Sequence, residues 1–466
     1  MNADLARTLG ELKSSGYRIL PVREEMRRNL MQKLAHEEDI FPGIFGYQDS
    51  VIPQIENAIL SGQDIILLGE RGQAKSRIIR SLVSLLDEWT PILAEVEIPE
   101  NPFHPISAQA QKLIAEKGDE APIRWMHRDE RYGEKLATPD ITIADLIGEV
   151  DPIKIAEGRY LSDIEALHFG LIPHTNRGIF AINELPDLAE RIQVGLLNVM
   201  EERDIQIRGH KIRLDLDILI VATANPEDYT NRGRIITPLK DRYGSQIRTH
   251  YPKTALEEIT IMDQEKSHLD MGEYKQVVPA FMQQIIAEIT HQARRSPDIN
   301  QRSGVSVRAS VSNYEALLAN ALRRAILVRE QEVVPRISDL PFIMPSFQGK
   351  VEFEAMEEGR EEAIMTRLFE NAVRTVFDQF TQPEDMDMLA LQFAEGLTVT
   401  TGESLPAKDY APIIQKIEGM DQAVQRLVKS DSPAQRASAV EFILEGLHIH
   451  QLLNKDRVTG RTTYRG

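Results

Sequence analysis

The residues best suited to chemistry in this chain stand in one turn, Gly69-Glu70-Arg71-Gly72-Gln73-Ala74-Lys75-Ser76. A short apolar run, Gln63-Asp64-Ile65-Ile66-Leu67-Leu68, precedes it, and a helical pattern over Arg77–Leu86 follows. Strand, turn and helix in that order are the setting a phosphate-binding GxxxxGK[ST] loop requires. Backbone N–H groups of such a turn and of the helix start point at phosphate oxygens. In such a loop Lys75 is expected to reach the terminal phosphates of a nucleotide, and the Ser76 hydroxyl to ligate Mg²⁺. Ala74 stands where a second glycine is usual, so a methyl lies beside the backbone's approach to phosphate. Phosphate chemistry also needs a carboxylate near the metal and a base for water. The strand pattern Gly178–Ile182 ends in Asn183-Glu184. Glu184 is placed to orient and polarise an attacking water. Asn183 puts a neutral amide where an acid is usual; it accepts a hydrogen bond from a metal-bound water but brings no charge. A third strand pattern, Leu216–Thr223, ends in Ala224-Asn225-Pro226, where the amide either meets phosphate or simply begins a turn.

These groups need a scaffold. Further strand patterns lie at Leu93–Ile98 and Gln246–Tyr251, with helical segments between most of the strands. The alternation predicts an α/β fold with an open, mostly parallel sheet. After Pro252 the strand patterns stop. Ala255–Lys266, Val278–Ala293 and Ser310–Arg329 read as helices, prolines cluster over Pro335–Pro345, and helical patterns resume at Glu354–Phe380, Asp409–Val428 and Ala434–Asn454. The expected organisation is an N-terminal helical segment (1–38), an α/β nucleotide-binding core with inserts (39–252), an all-helical lid (253–345) and a helical C-terminal extension (346–466). The basic tail Asn454–Gly466 is expected to fray. Residues 99–140, with Trp125, His127 and Glu130-Arg131-Tyr132, receive no assignment.

Composition narrows the function. The chain has 466 residues and no cysteine, which excludes disulfides, thiolate metal sites and a cysteine nucleophile. Its formal net charge of −18 disfavours general nucleic-acid binding. The apolar runs are strand-sized, and no signal-peptide pattern opens the chain, so the expectation is a cytoplasmic protein without a membrane span.

The motifs in series resemble the AAA+ ATPases of the magnesium-chelatase I-subunit and MoxR group. Pro173-His174-Thr175-Asn176-Arg177-Gly178-Ile179-Phe180, running into Asn183-Glu184-Leu185, is similar to that group's stretch through Walker B. Asp145-Leu146-Ile147-Gly148-Glu149-Val150-Asp151-Pro152 looks like its insert in the second core helix, and Ile205–Leu214 reads as a hairpin where the clade carries one before sensor one. Pro238-Leu239-Lys240-Asp241-Arg242-Tyr243-Gly244 resembles the motif ending in Asp-Arg-Phe-Gly, and Ser306-Val307-Arg308-Ala309-Ser310 looks like sensor two. The resemblance spans about Ile44 to Arg329. It implies that Asn225 is sensor one, that Arg242 acts as an arginine finger on a neighbouring subunit's ATP, and that Arg308 contacts nucleotide phosphates. Arg234 and Arg232 are runners-up for the finger, and Gly46 and Tyr47 are candidates for adenine contact.

The same resemblance implies an ATP- and Mg²⁺-dependent ring motor, a homo-oligomer of six subunits, working with a partner that bears a von Willebrand A domain. The alternative is a nucleotide-gated scaffold with little hydrolysis, to which Ala74 and Asn183 both point. An enhancer-dependent transcription activator is disfavoured: no GAFTGA-type loop is present, no helix-turn-helix pattern follows the core, and the charge is strongly negative.

Overall fold

The computed structural model describes residues 5–150, 167–202, 214–225, 233–268, 270–301, 303–354, 360–458 and 460–466. It divides into two compact units, Met1–His250 and Tyr251–Gly466.

The strands of the first unit are β1 (Ile65–Leu68), β2 (Trp89–Leu93), β3 (Ile123–His127), β4 (Tyr132–Leu136), β5 (Gly148–Val150), β6 (Leu167–Phe169), β7 (Gly178–Asn183), β8 (Ile218–Ala224) and β9 (Ser245–Arg248). Five of them form one sheet in the order β4-β7-β8-β1-β9, and every pairing in it is parallel. The central strands β7 and β8 are buried along their whole length, which is why they read as unbroken apolar runs. Alternate residues serve opposite faces. Ile66, Phe180, Ile182, Ile220 and Ala222 pack with Ile192, Leu196 and Val199 of the helix Glu190–Glu201. Ile65, Leu67, Ala181 and Val221 pack with Ile78 and Ile79, from the helix Lys75–Ser81 that follows the glycine-bearing turn.

One strand expectation needs correction. The strand expected at Leu93–Ile98 lies earlier, at Trp89–Leu93, and pairs antiparallel with β3 outside the main sheet. The unassigned stretch 99–140 supplies β3, the helix Ala108–Lys117 and the edge strand β4. β5 and β6 pair antiparallel where the helix-two insert was expected; Asp151 and Pro152 of that motif lie outside the described residues.

In the second unit, the helices Ala255–Glu265, Ala280–Arg295, Val307–Val328, Arg360–Phe380 and Pro433–Ile449 surround one hydrophobic core that runs from Met262 to Tyr464. Strands do occur after Pro252, contrary to the sequence reading. β10 (Lys275–Gln276) and β11 (Glu332–Val333) pair in parallel. β12 (Thr398–Thr401), β13 (Asn454–Val458) and β14 (Arg461–Arg465) form a three-stranded antiparallel sheet. The tail therefore does not fray. Tyr464 is buried and its hydroxyl donates to Glu445 Oε2 at 2.6 Å, while Lys455 bonds both oxygens of the same carboxylate. The single helix expected over Asp409–Val428 is instead Ala411–Lys416 and Met420–Val428, broken at Gly419 (φ 83°). Among the described residues no helix is long and apolar enough to cross a membrane.

Candidate functional site

The turn Gly69–Ser76 is built against the end of β9. Gln73 is buried, and its Oε1 accepts hydrogen bonds from the Glu70 amide (3.1 Å) and the Thr249 hydroxyl (2.6 Å). Gly69 must be a glycine here: a Cβ would stand 1.8 Å from Thr249 Oγ1 and 2.2 Å from Gln73 Oε1. Gly72 and Ala74 both have positive φ, 75° and 56°. A left-handed residue after right-handed ones turns successive N–H groups into a concave anion-binding nest. Tyr47, a candidate for adenine contact, braces the turn. It is buried, and its hydroxyl lies 3.0 Å from the Gln73 carbonyl and 2.7 Å from that of His250. Burial pushes its phenol well above the ordinary value, so it remains a donor. Gly46 lies beside it with φ 77°.

Lys75 is buried at the start of the following helix, and Ser76 is half-buried next to it. The Lys75 ammonium donates to the Gly69 carbonyl (2.5 Å), the Glu70 carbonyl (2.8 Å) and Asn225 Oδ1 (2.7 Å). The Asn225 amide in turn donates to Glu184 Oε2. The ends of β1, β8 and β7 are thereby joined by one line of hydrogen bonds, Lys75–Asn225–Glu184. Glu184 sits in the left-handed region (φ 57°, ψ 47°), and its own amide donates to Thr223 Oγ1 at 3.0 Å. A carboxylate held in a sparsely populated backbone conformation is a common feature of functional sites.

Asn183, one residue earlier, turns to the other side. It is buried, accepts from Thr223 Oγ1 at 3.4 Å and donates to Glu134 Oε1. Glu134, on β4, also receives a fork from Arg80 (2.8 and 3.0 Å) and the Tyr132 hydroxyl (3.1 Å). Burial raises its pKa, but Arg80, Tyr132 and Asn183 outweigh burial and hold the carboxyl below its ordinary range. Sequence reasoning missed Glu134, Thr223 and Thr249. Glu134 lies on an edge strand of polar residues, Tyr132-Gly133-Glu134-Lys135-Leu136, which carries no strand signal of its own.

The donors fit a magnesium–nucleotide group. Mg²⁺ takes oxygen ligands, keeps several waters, and is usually held by few protein groups together with substrate phosphates. The Ser76 hydroxyl and the Asn183 amide oxygen are of that kind, and a buried ammonium beside an N–H nest suits phosphate.

The remaining candidates lie elsewhere. Arg242 ends the helix Thr237–Arg242, where its guanidinium pairs with Glu201 and donates to the Pro238 carbonyl at 2.8 Å. Arg234 is exposed and pairs with Glu190. In the second unit, Arg308 stands in the first turn of Val307–Val328; its amide is capped by Ser306 Oγ at 3.1 Å. Arg232, Pro226 and residues 205–213 of the expected hairpin lie outside the described residues.

A parallel sheet in this order, with a phosphate loop after β1 and an amide–carboxylate pair across the ends of β8 and β7, defines a P-loop protein of the AAA+ class. The Sigma-54 interaction domain family matches residues 156–240, which hold Asn183, Glu184 and Asn225 but not the loop Gly69–Ser76. The magnesium-chelatase subunit ChlI of Nostoc sp. strain PCC 7120 is 26% identical over 261 residues, covering 54% of this chain and 63% of that protein. ChlI of Guillardia theta is 28% identical over 230 residues, covering 46% and 59% respectively. The uncharacterized protein YeaC of Bacillus subtilis is 25% identical over 225 residues, covering 45% and 65%. A chain of the BchI–BchD magnesium-chelatase complex, from single-particle cryo-EM, aligns at 15% identity with a TM-score of 0.32, covering 74% of this chain and 99% of that one. Over roughly half its length the chain is similar in sequence to the magnesium-chelatase I subunits. It spans about three-fifths of the length of the ChlI relatives.

Proposed function

We propose that this chain binds Mg-ATP at Gly69–Ser76 and hydrolyses it as a subunit of a homo-oligomeric ring, coupling turnover to a protein partner. The observation that carries the reading is the hydrogen-bonded line Lys75–Asn225–Glu184, which brings a phosphate lysine, an amide and a carboxylate together from three strand ends. Lys75 exchanges its loop carbonyls for phosphate oxygens. Ser76 and, through water, Asn183 take the metal, which when bound neutralises phosphate charge. Glu184 orients and polarises the attacking water, and Asn225 holds Glu184 against Lys75 until nucleotide separates them. Arg242, released from the exposed Glu201, serves the site of the neighbouring subunit, and Arg308 contributes from the helical lid. The division we adopt is an N-terminal helical segment over 1–38, a core over 39–252 and, within the second compact unit, a lid over 253–345 and a C-terminal extension over 346–466. The relationship to chelatase I subunits supports a hexamer in the cytoplasm and a partner with a von Willebrand A domain.

The test is steady-state Mg-ATP turnover of the parent beside Lys75→Ala and Glu184→Gln. We expect each substitution to lower turnover by about 10²–10⁴-fold, with Glu184→Gln keeping nucleotide affinity. A parent that binds ATP tightly but does not turn it over, even with its partner present, would instead establish the nucleotide-gated scaffold.

A further inference from the structure

We propose that Glu134 is a positioning residue of the magnesium site, fixing the Asn183 amide and supplying the negative charge that Asn183 lacks. The proposal rests on the nucleotide reading of Gly69–Ser76. In β4 and β7, Leu136 stands opposite Asn183 and Glu134 opposite Ala181, so Glu134 is the diagonal neighbour of Asn183 on one sheet face. That face is the one covered by Ile78 and Ile79 of the helix Lys75–Ser81.

Two contacts define the role. An ionised carboxylate accepts hydrogen bonds and donates none. Because Asn183 meets Glu134 at this end, its NH₂ must face Glu134 and its Oδ1 must face the other way, on the Thr223 side. Oδ1 is the atom that accepts from a metal-bound water. Without Glu134 the amide is free to turn over and present a donor there, which a water on Mg²⁺ cannot use. The second contact is Arg80, which forks onto Glu134 from the helix that carries Ser76. Ser76 and Arg80 are four residues apart and so share a helix face, about 6 Å apart along the axis. The carboxylate is therefore tied to the helix that carries Ser76, with Arg80 as its counter-ion.

Residues that orient a metal's immediate partners change metal affinity by about 10–100-fold when removed. The experiment is equilibrium binding of a fluorescent ATP analogue to the full chain, with free Mg²⁺ varied and a metal-free series with EDTA alongside. For Glu134→Gln we expect the free Mg²⁺ needed for half-saturation to rise by about tenfold, with metal-free affinity unchanged. Adding Asn183→Asp to Glu134→Gln restores the parent requirement, because the charge then sits on β7. Arg80→Met, which frees Glu134 of its counter-ion, lowers the requirement. The proposal is overturned if Glu134→Gln leaves the Mg²⁺ profile where it was. It is also overturned if Asn183→Asp fails to rescue, or if Arg80→Met shifts the profile upward as Glu134→Gln does, which is the mark of a purely structural ion pair. A parent that binds no nucleotide overturns both this proposal and the functional reading; a parent that binds nucleotide leaves nucleotide binding at Gly69–Ser76 standing whatever Glu134 does.

Discussion

At the scale of single residues, Ala74 is the position where the loop departs from its usual sequence, and its backbone explains what that departure costs. Ala74 is held at φ 56°, ψ 13°, immediately before Lys75. The left-handed region costs an ordinary residue about 1–2 kcal/mol, because Cβ crowds the following carbonyl. Glycine escapes that cost but gives back about 0.4–1 kcal/mol through the freedom of the unfolded chain. Ala74→Gly is therefore expected to stabilise the protein by about 0.5–1 kcal/mol, raising Tm by about 1–4 °C. Thermal unfolding checks it. Because glycine keeps the left-handed turn, ATP affinity is expected to hold or rise; a fall would mean that the methyl itself contributes to the loop. Glu184 shares the same backbone region but has a different consequence. Its strained turn separates its carboxylate, which meets Asn225, from the Asn183 amide, which meets Glu134, so two adjacent residues serve two different neighbours.

At the scale of elements, what the sequence disclosed depended on burial. β1, β7 and β8 are buried runs whose ends carry Gly69, Asn183-Glu184 and Asn225, so strand and site were legible together. β4 was not, because an edge strand needs only one apolar side and Tyr-Gly-Glu-Lys-Leu has no alternation to betray it; Glu134 went unseen with it. The C-terminal strands were hidden for a related reason. Asn454–Val458 and Arg461–Arg465 are polar and mostly exposed, and they are held by their pairing and by Tyr464 against Glu445. Charges inside the helical unit were equally illegible, although one ties three helices together. Glu258 is fully buried in Ala255–Glu265. It takes a fork from Arg294 (2.8 and 3.1 Å) and the Ser310 hydroxyl (2.5 Å), with His291 Nε2 at 3.5 Å. Burial raises its pKa, but His291, Arg294 and Ser310 outweigh burial and leave it below the ordinary 4.5. A carboxyl whose folded pKa is depressed contributes stability above its unfolded pKa and loses it as pH falls through the folded value. The second unit is thus expected to keep this contribution at neutral pH and to lose it progressively below about pH 4.5. Glu258→Gln is expected to cost about 3 kcal/mol at pH 7, by leaving the Arg294 charge uncompensated, and to flatten the acid limb. Both tryptophans, Trp89 and Trp125, lie in the first unit, so far-UV circular dichroism of urea unfolding at several pH values is the proper readout.

At the scale of the whole molecule, the functional reading makes the site incomplete in one chain, and that is testable without knowing the partner. Arg242 is engaged by Glu201, a half-exposed residue of the same unit, and an exposed ion pair of this kind is worth about 0.2–1 kcal/mol. So weak a tie is readily exchanged for a phosphate on a neighbouring subunit, where an arginine is worth about 10³–10⁵ in turnover. Suppose Glu184 acts within its own chain and Arg242 acts on the next. Then Glu184→Gln subunits still offer a good arginine, and Arg242→Ala subunits still offer a good carboxylate. Each variant alone is expected to be nearly inactive. In an equal mixture, a site is whole only where an Arg242→Ala subunit supplies the carboxylate and a Glu184→Gln subunit stands beside it. Random assembly around a closed head-to-tail ring gives that arrangement at roughly one interface in four. ATPase activity in the mixture is therefore expected to recover to about a quarter of the parent's, provided subunits exchange and interfaces act independently. Native mass spectrometry of the mixture verifies exchange and reads the ring size directly. Mixed rings that stay as inactive as either variant would place Arg242 and Glu184 in the service of one chain, whereas Arg242→Ala rings that stay active on their own would remove Arg242 from the chemistry. Either outcome would leave Arg234, exposed and paired with the exposed Glu190, as the next arginine to substitute.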